Sequence, residues 1–284
     1  MGSRHMTRLA QRFLLRVLIV IALAMMLACG RHGAGTPGLA ASRDVRDGFY
    51  FVQISDTHFG DRDHLGRTRK LVDQINALPY DLVCVVHTGD IFADNVTDAA
   101  VRQEGLDLLR RLKAPLHLLP GNHDILEAQL DSSLRDYTRE VGPLIHQAEY
   151  KGVVMVFAYT EPAAKGFYVA GYDPLKAIEA AFKGAAGKPI ILCHHRPAVD
   201  DYYEFAAHPG WDVNARSALE TLLRAHRVRA VVTGHFHRDE LHWLDDIPIF
   251  SAGPVASYWG RQASFRLYEY RDGRLGYRTV YLRE

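Results

Sequence analysis

The stretch Phe49-Tyr50-Phe51-Val52-Gln53-Ile54-Ser55-Asp56-Thr57-His58 decides how the rest of the chain is read. Phe49 to Ile54 is short, apolar and without helical period, so it reads as a buried β-strand. Ser55 to His58 then turns abruptly polar, as the loop beyond a strand does. The same pattern recurs downstream. Leu82 to Val86, rich in β-branched residues, ends at His87-Thr88-Gly89-Asp90, and Leu116 to Leu119 ends at Pro120-Gly121-Asn122-His123-Asp124. Pro189 to Cys193 ends at His194-His195, and Val228 to Val232 ends at Thr233-Gly234-His235-Phe236-His237. Arg67 to Leu78 places Leu71, Val72, Ile75 and Leu78 on one helical face, and Ala99 to Leu112, Pro174 to Lys183 and Ala218 to His226 also read as helices. Val153 to Tyr159 is a further strand. In open α/β architectures the loops at the carboxyl ends of strands converge on one crevice. Five strands that end in histidine- or aspartate-bearing loops therefore predict one site assembled from all of them. Beyond His237 the chain alternates in Glu240 to Leu244, Ile247 to Ala252, Ala263 to Tyr270 and Leu275 to Leu282, with Asp272-Gly273 as a hairpin turn.

The whole chain has 284 residues, 48% hydrophobic and 24% charged, with 34 Lys and Arg against 33 Asp and Glu. This is ordinary globular composition. The balanced charge lacks the dense basic field that duplex nucleic acid demands, so nucleic acid is not expected as a partner. Residues 1–5 read as an expression-vector remnant. Arg8, Arg12 and Arg16 then precede the apolar run Val17 to Leu27, the n- and h-regions of an export signal, which is short for a bilayer span. The run ends at Met26-Leu27-Ala28-Cys29-Gly30 and resembles the lipobox of bacterial lipoproteins, which implies lipidation of Cys29. Met26 stands where leucine is usual, which keeps simple cleavage or a retained anchor as alternatives. Residues 1–29 are thus read as leader, 30–47 as a flexible tether, and 48–284 as one domain, exported and anchored to a bacterial membrane facing the periplasm or exterior. Cys84 and Cys193 remain in the body and are expected as unpaired buried thiols, since Cys84 sits mid-strand and Cys193 abuts a candidate ligand.

The loop ends supply oxygen and imidazole donors without a thiolate, a set that suits Mn, Fe, Zn or Co. Residues at i, i+2 in an extended loop aim to one side. A central carboxylate, Asp90, can bridge two cations with one oxygen each and hold them about 3.5 to 4 Å apart. The series Asp56-Thr57-His58, Gly89-Asp90, Gly121-Asn122-His123-Asp124, His194 and Gly234-His235-Phe236-His237 resembles the calcineurin-like metallophosphoesterases in residue type and order, from Phe49 to about His237. The resemblance implies a first metal held by Asp56, His58 and His237, a second held by Asn122, His194 and His235, and Asp90 shared between them. The adjacent pair His194 and His195 leaves two candidates for one ligand; His194, nearer the strand end, is favoured. His123 is implied as proton donor to the leaving group, with Asp124 orienting it. The implied fold is a four-layer α/β/β/α sandwich of two mixed sheets flanked by helices, with the alternating C-terminal segments in the second sheet.

The expected reaction is hydrolysis of a phosphate ester, by in-line attack of a water activated between the two metals. His194-His195-Arg196-Pro197 resembles the corresponding loop of phosphodiesterase branches, including cyclic nucleotide and glycerophosphodiester enzymes, and so points to a diester. Phosphomonoesters and lipid head-group esters are the alternatives, as is a catalytically silent metal-binding scaffold that docks a partner. Arg196, Tyr203 and Trp259, with Tyr202 and Trp211, are candidate substrate contacts, the arginine for phosphate and an aromatic ring for a base; the aromatics serve packing equally well. The isolated histidines His64, His117, His146, His208, His226 and His242 are read as surface or hydrogen-bonded core groups without a role. Asp61 and Asp94 are read as loop solvators or caps.

Overall fold

Strand β1 (Phe49–Ile54) is buried along almost its whole length, as a run that is apolar except for Gln53 requires. A computed structural model describes residues 48–283; the leader, Cys29 and the tether assigned to 1–47 lie outside the described residues. The chain continues through α1 (His64–Asn76), β2 (Leu82–His87), α2 (Ala99–Leu109), β3 (Leu116–Leu118), α3 (Leu130–Glu140), β4 (Ile145–Tyr150) and β5 (Val153–Ala158). It then forms α4 (Glu161–Lys165), α5 (Pro174–Gly184), β6 (Ile190–Cys193), the hairpin β7 (Asp201–Tyr203) and β8 (Ala206–His208), and α6 (Val213–Ala225). The last strands are β9 (Val228–Thr233), β10 (Glu240–Leu244), β11 (Ile247–Ser251), β12 (Ser264–Arg271) and β13 (Arg274–Tyr281).

Aspartates begin four of the helices: Asp63, Asp98, Asp173 and Asp212 each accept hydrogen bonds from backbone N–H groups of the first turn of α1, α2, α5 and α6. Each such cap contributes about 1 kcal/mol. The Asp212 cap starts α6 at Val213 rather than at the expected Ala218.

The strands form two mixed sheets, β13-β12-β1-β2-β3 and β10-β11-β9-β6-β5-β4. Phe51, Cys84, Val86 and Tyr268 of the first pack against Met155, Phe157, Cys193 and Val232 of the second. The outer face of the first sheet packs under α1, α2 and α3, and that of the second under α5 and α6. The layers are thus helix, sheet, sheet, helix. Cys84 and Cys193 are both buried and unpaired. Among the described residues no helix is long and apolar enough to cross a membrane.

Four features depart from expectation. The C-terminal segments divide: β10 and β11 extend the second sheet, but β12 pairs antiparallel with β1 and carries β13 into the first. Alternation identifies a strand, while the edge it joins is set by which buried strand lacks a partner, and β1 has β2 on one side only. Helix α3 was not anticipated, although Leu130, Leu134 and Tyr137 recur at i, i+4 and i+7 and pack one face against the core, because the polar and charged residues between them break up the apolar run. Strand β4 sits at a sheet edge, half-exposed along its length, and β7–β8 is a separate short hairpin whose Tyr202, Tyr203 and Phe205 face solvent.

Candidate metal centre

The loops after β1, β2, β3, β6 and β9 meet at the carboxyl edge of both sheets. Backbone hydrogen bonds sew them together: Asp56 N–H to Gly89 C=O at 3.0 Å, His58 N–H to Asp90 C=O at 3.1 Å, and Gly234 N–H to His195 C=O at 2.9 Å. The turns are tight enough to force Asp56, His58, Asp90, His235 and His237 to positive φ, between 46° and 70°. Non-glycine residues held there cost of order 1 kcal/mol or more each and persist where the surroundings impose them, as at active sites. Gly121 is needed for a different reason. A Cβ there would run into the Asp90 carboxylate.

Two groups of side chains result, Asp56, His58, Asp90 and His237 in one and Asp90, His195 and His235 in the other, with ligand atoms in each within 4.8 Å of one another. Asp90 belongs to both. Its Oδ1 accepts the His123 backbone N–H at 2.9 Å, which leaves Oδ2 lying 3.0 Å from His195 Nε2 and 3.8 Å from His58 Nε2. The single oxygen Oδ2, rather than one oxygen for each side, therefore faces both groups. Asp56 Oδ1 is buried without a hydrogen-bond donor and lies 3.2 Å from His237 Nε2, while the Nε2 atoms of His58 and His237 approach to 3.4 Å. Buried lone pairs that face one another in this way call for a cation between them. Carboxylate, amide and imidazole donors fit a pair of first-row transition ions.

The electrostatics agree. Burial pushes the Asp56 carboxyl up, but His237 and His195 overcome this and hold it well below the usual carboxylate range. Burial lowers the His58 imidazole to about 4 against the pull of Asp90 and Asp56. It also opposes a charge on His195, yet Asp90 raises that imidazole to about 10.

The favoured ligand His194 is replaced by His195. His194 points into the core, edge-on to Trp211 with ring centroids 5.7 Å apart, and burial holds it neutral with a pKa of about 3. His195 donates from Nδ1 to Thr88 C=O at 2.7 Å, which leaves Nε2 for the centre. Asn122 lies on the His235 side, where both contact Arg196.

Asp124 does not orient His123. Its carboxylate accepts backbone N–H groups of Gly121, Ile91 and Phe92 at 2.8, 3.1 and 2.8 Å and so clasps the β2 and β3 loops together. The partner of His123 is Asp94, whose Oδ1 lies 2.7 Å from His123 Nδ1, although its sequence position suggested only a loop solvator. Burial lowers the His123 imidazole, but Asp90 and Asp94 outweigh this and raise it above its ordinary value.

His64, expected to have no role, donates from Nδ1 to His58 C=O at 3.0 Å. Tyr258, not singled out in the sequence, stands edge-on to His58 at 4.9 Å between centroids and is held by Asp61 at 2.6 Å. Trp259 is 78% exposed and edge-on to His237 at 5.1 Å. Tyr203 instead stacks on His208 at 3.6 Å within its hairpin. Glu161, buried beneath Arg196, carried no signal in the sequence, for a lone acidic residue before a short helix has many uses.

Comparison with known proteins places these features. The family model described as calcineurin-like phosphoesterase matches residues 49–239. A cAMP/cGMP dual-specificity phosphodiesterase of Mycobacterium tuberculosis is 28% identical over 74% of this chain and 69% of its own length. A protein of Arcobacter nitrofigilis named as a probable glycerophosphodiester phosphodiesterase is 24% identical over 72% of this chain and 77% of its own. The solved structure of a dimetal phosphatase from Danio rerio superposes with a TM-score of 0.56 at 15% identity, covering 83% of this chain and 99% of the other, a likeness of fold. The family match takes in every strand-end loop that builds the centre, and the chain accordingly belongs to the calcineurin-like phosphoesterase family, hydrolases here equipped with a dinuclear metal centre.

Proposed function

We propose that the chain hydrolyses phosphodiesters. The observation that carries the reading is Asp90 Oδ2 between His195 and His58, one carboxylate oxygen serving two ligand sets. Asp56, His58 and His237 would hold one ion and Asn122, His195 and His235 the other. When bound, the two ions supply Lewis acidity, neutralising phosphate oxygens and lowering the pKa of water. The protein supplies the rest. Asp94 fixes His123 through Nδ1, which leaves Nε2 as the nitrogen that gives its proton to the departing oxygen. The water oxygen forms the new bond to phosphorus as the ester bond breaks, and no side chain receives the phosphoryl group.

Two facts favour a diester. Both curated relatives described above are phosphodiesterases by name, and Trp259 presents an exposed ring beside His237 on which a nucleobase or other flat group can stack. Enzyme loaded in turn with Mn, Fe, Zn and Co should hydrolyse bis(4-nitrophenyl) phosphate faster than 4-nitrophenyl phosphate; faster turnover of the monoester overturns the diester assignment. Metal analysis of the same samples identifies the preferred ion.

Export and lipid anchoring through Cys29 are part of the same proposal, supported by Arg8, Arg12 and Arg16, the apolar run and Ala28-Cys29. Substrate would then be met outside the cytoplasm, as a small phosphate ester or a lipid head group. Incorporation of an alkyne-tagged fatty acid in vivo, abolished by Cys29→Ser, is expected. An unlabelled wild-type protein contradicts the anchor.

A further inference from the structure

Arg196 directly follows the ligand His195 and is itself nearly buried, at 9% exposure. One end of its guanidinium is clamped: Nε donates to both carboxylate oxygens of Glu161, at 3.2 and 2.9 Å, and Glu161 is fully enclosed. The other end reaches the metal centre. Nη1 donates to His235 Nε2 at 2.5 Å and Nη2 to Asn122 Oδ1 at 3.3 Å. A buried cation of the protein's own thus holds two of the side chains assigned to the second metal.

The contact with His235 and a metal on His235 exclude each other. A guanidinium has only donors, so the nitrogen it binds must present a lone pair. If His235 ligates through Nε2, Arg196 stands where the ion would be. If it ligates through Nδ1, which faces His195 Nε2 at 3.2 Å, the ring proton must sit on Nε2 and meets the Arg196 N–H head-on. In the other half, carboxylate and imidazole groups of Asp56, His58, Asp90 and His237 converge ready to ligate.

We infer that Arg196 is an internal counter-cation that closes the second half of the centre, so that the ions load in two unequal steps. The second ion enters only when Nη1 and Nη2 release His235 and Asn122. The hold of Glu161 on Nε survives that movement, so the freed Nη donors remain beside the centre, suited to two oxygens of a phosphate. Phosphate and the second ion then favour the same displaced position of Arg196 and strengthen each other's binding. The inference rests on the dinuclear reading above.

The test is calorimetric titration of the chelator-stripped full domain with Co²⁺, with and without inorganic phosphate. Wild-type protein should take one ion tightly and a second more weakly, and phosphate should tighten the second. Arg196→Met should tighten the second ion by about tenfold, since a closed state populated ten to one lowers apparent affinity by that factor, and leave the first ion unchanged. The double variant Arg196→Met/Glu161→Gln, which avoids a stranded buried carboxylate, should do the same and guards against misfolding of the single variant. Equal affinities in wild type and variants, or weaker second-ion binding in both variants, overturns the role of Arg196 and leaves the dinuclear reading intact. If both variants fail to fold, wild type decides alone: two ions of equal affinity, insensitive to phosphate, overturn it. Failure of wild type to bind a second ion at any Co²⁺ concentration would instead defeat the dinuclear reading itself.

Discussion

At the scale of single residues the centre is built by forcing side chains into places the backbone resists. Asp56, His58, Asp90, His235 and His237 all sit in the left-handed region; backbone hydrogen bonds between the loops hold them there, and Asp124, which binds three backbone N–H groups, ties the β2 and β3 loops together. Residue types were legible in the sequence because two-ion chemistry restricts donors to carboxylate, amide and imidazole at strand ends. Which of two neighbours ligates was not. His194 and His195 are consecutive and diverge, one into the core and one toward Asp90, and distance from the strand end ranks them without saying which way each points. The same limit hid Asp94, which reaches His123 only through the fold. A general acid acts in its protonated form, so rate falls as pH rises through its pKa, and Asp94 raises the pKa of His123. Asp94→Asn should therefore move the alkaline limb of the kcat profile to lower pH and reduce kcat at neutral pH by roughly tenfold, with metal content unchanged. An unmoved limb refutes the assignment of Asp94 as the residue that positions His123.

At the scale of elements, β1 joins the two sheets as well as opening the site. Gln53, near its end, donates from Nε2 to Thr88 Oγ1 at 2.8 Å and to Thr233 C=O at 2.7 Å, and its Oε1 accepts from Tyr268 O–H at 2.8 Å. Thr88 precedes the Asp90 turn and Thr233 precedes the His235 turn, so one buried amide spans both sheets beneath the centre. Gln53→Leu leaves these partners unsatisfied and should lower unfolding free energy by about 1–3 kcal/mol, measured by urea denaturation. A change under about 0.5 kcal/mol, the size of an ordinary surface substitution, would show that the network contributes nothing. Short, largely apolar runs that stop abruptly at polar loops made β1, β2, β6 and β9 legible in the sequence. Helix α3 was not, although Leu130, Leu134 and Tyr137 share one helical face, because charged and polar residues fill the positions between them, and β4, half-exposed at a sheet edge, leaves little apolar pattern. The destination of β12 depends on long-range pairing with β1, which local pattern does not encode.

At the scale of the whole molecule, the two sheets aim five loops at one edge, three from the first sheet and two from the second. The ligand sets are consequently divided between sheets: Asp56, His58, Asp90 and Asn122 arrive from one, His195, His235 and His237 from the other. The centre can form only when the sheets are packed, and bound ions in turn stabilise that packing by mass action. Asp90 is where the two sets meet, through Oδ2 beside both His58 and His195. The most direct measurement is the metal stoichiometry of wild type, Asp90→Asn and His123→Asn, with kcat determined on the same samples. Wild type should hold two ions and Asp90→Asn neither, while His123→Asn should keep both and turn over about 10² to 10⁴ times more slowly. A full pair of ions in Asp90→Asn, or metal loss in His123→Asn matching its loss of activity, would contradict a centre organised around one shared carboxylate.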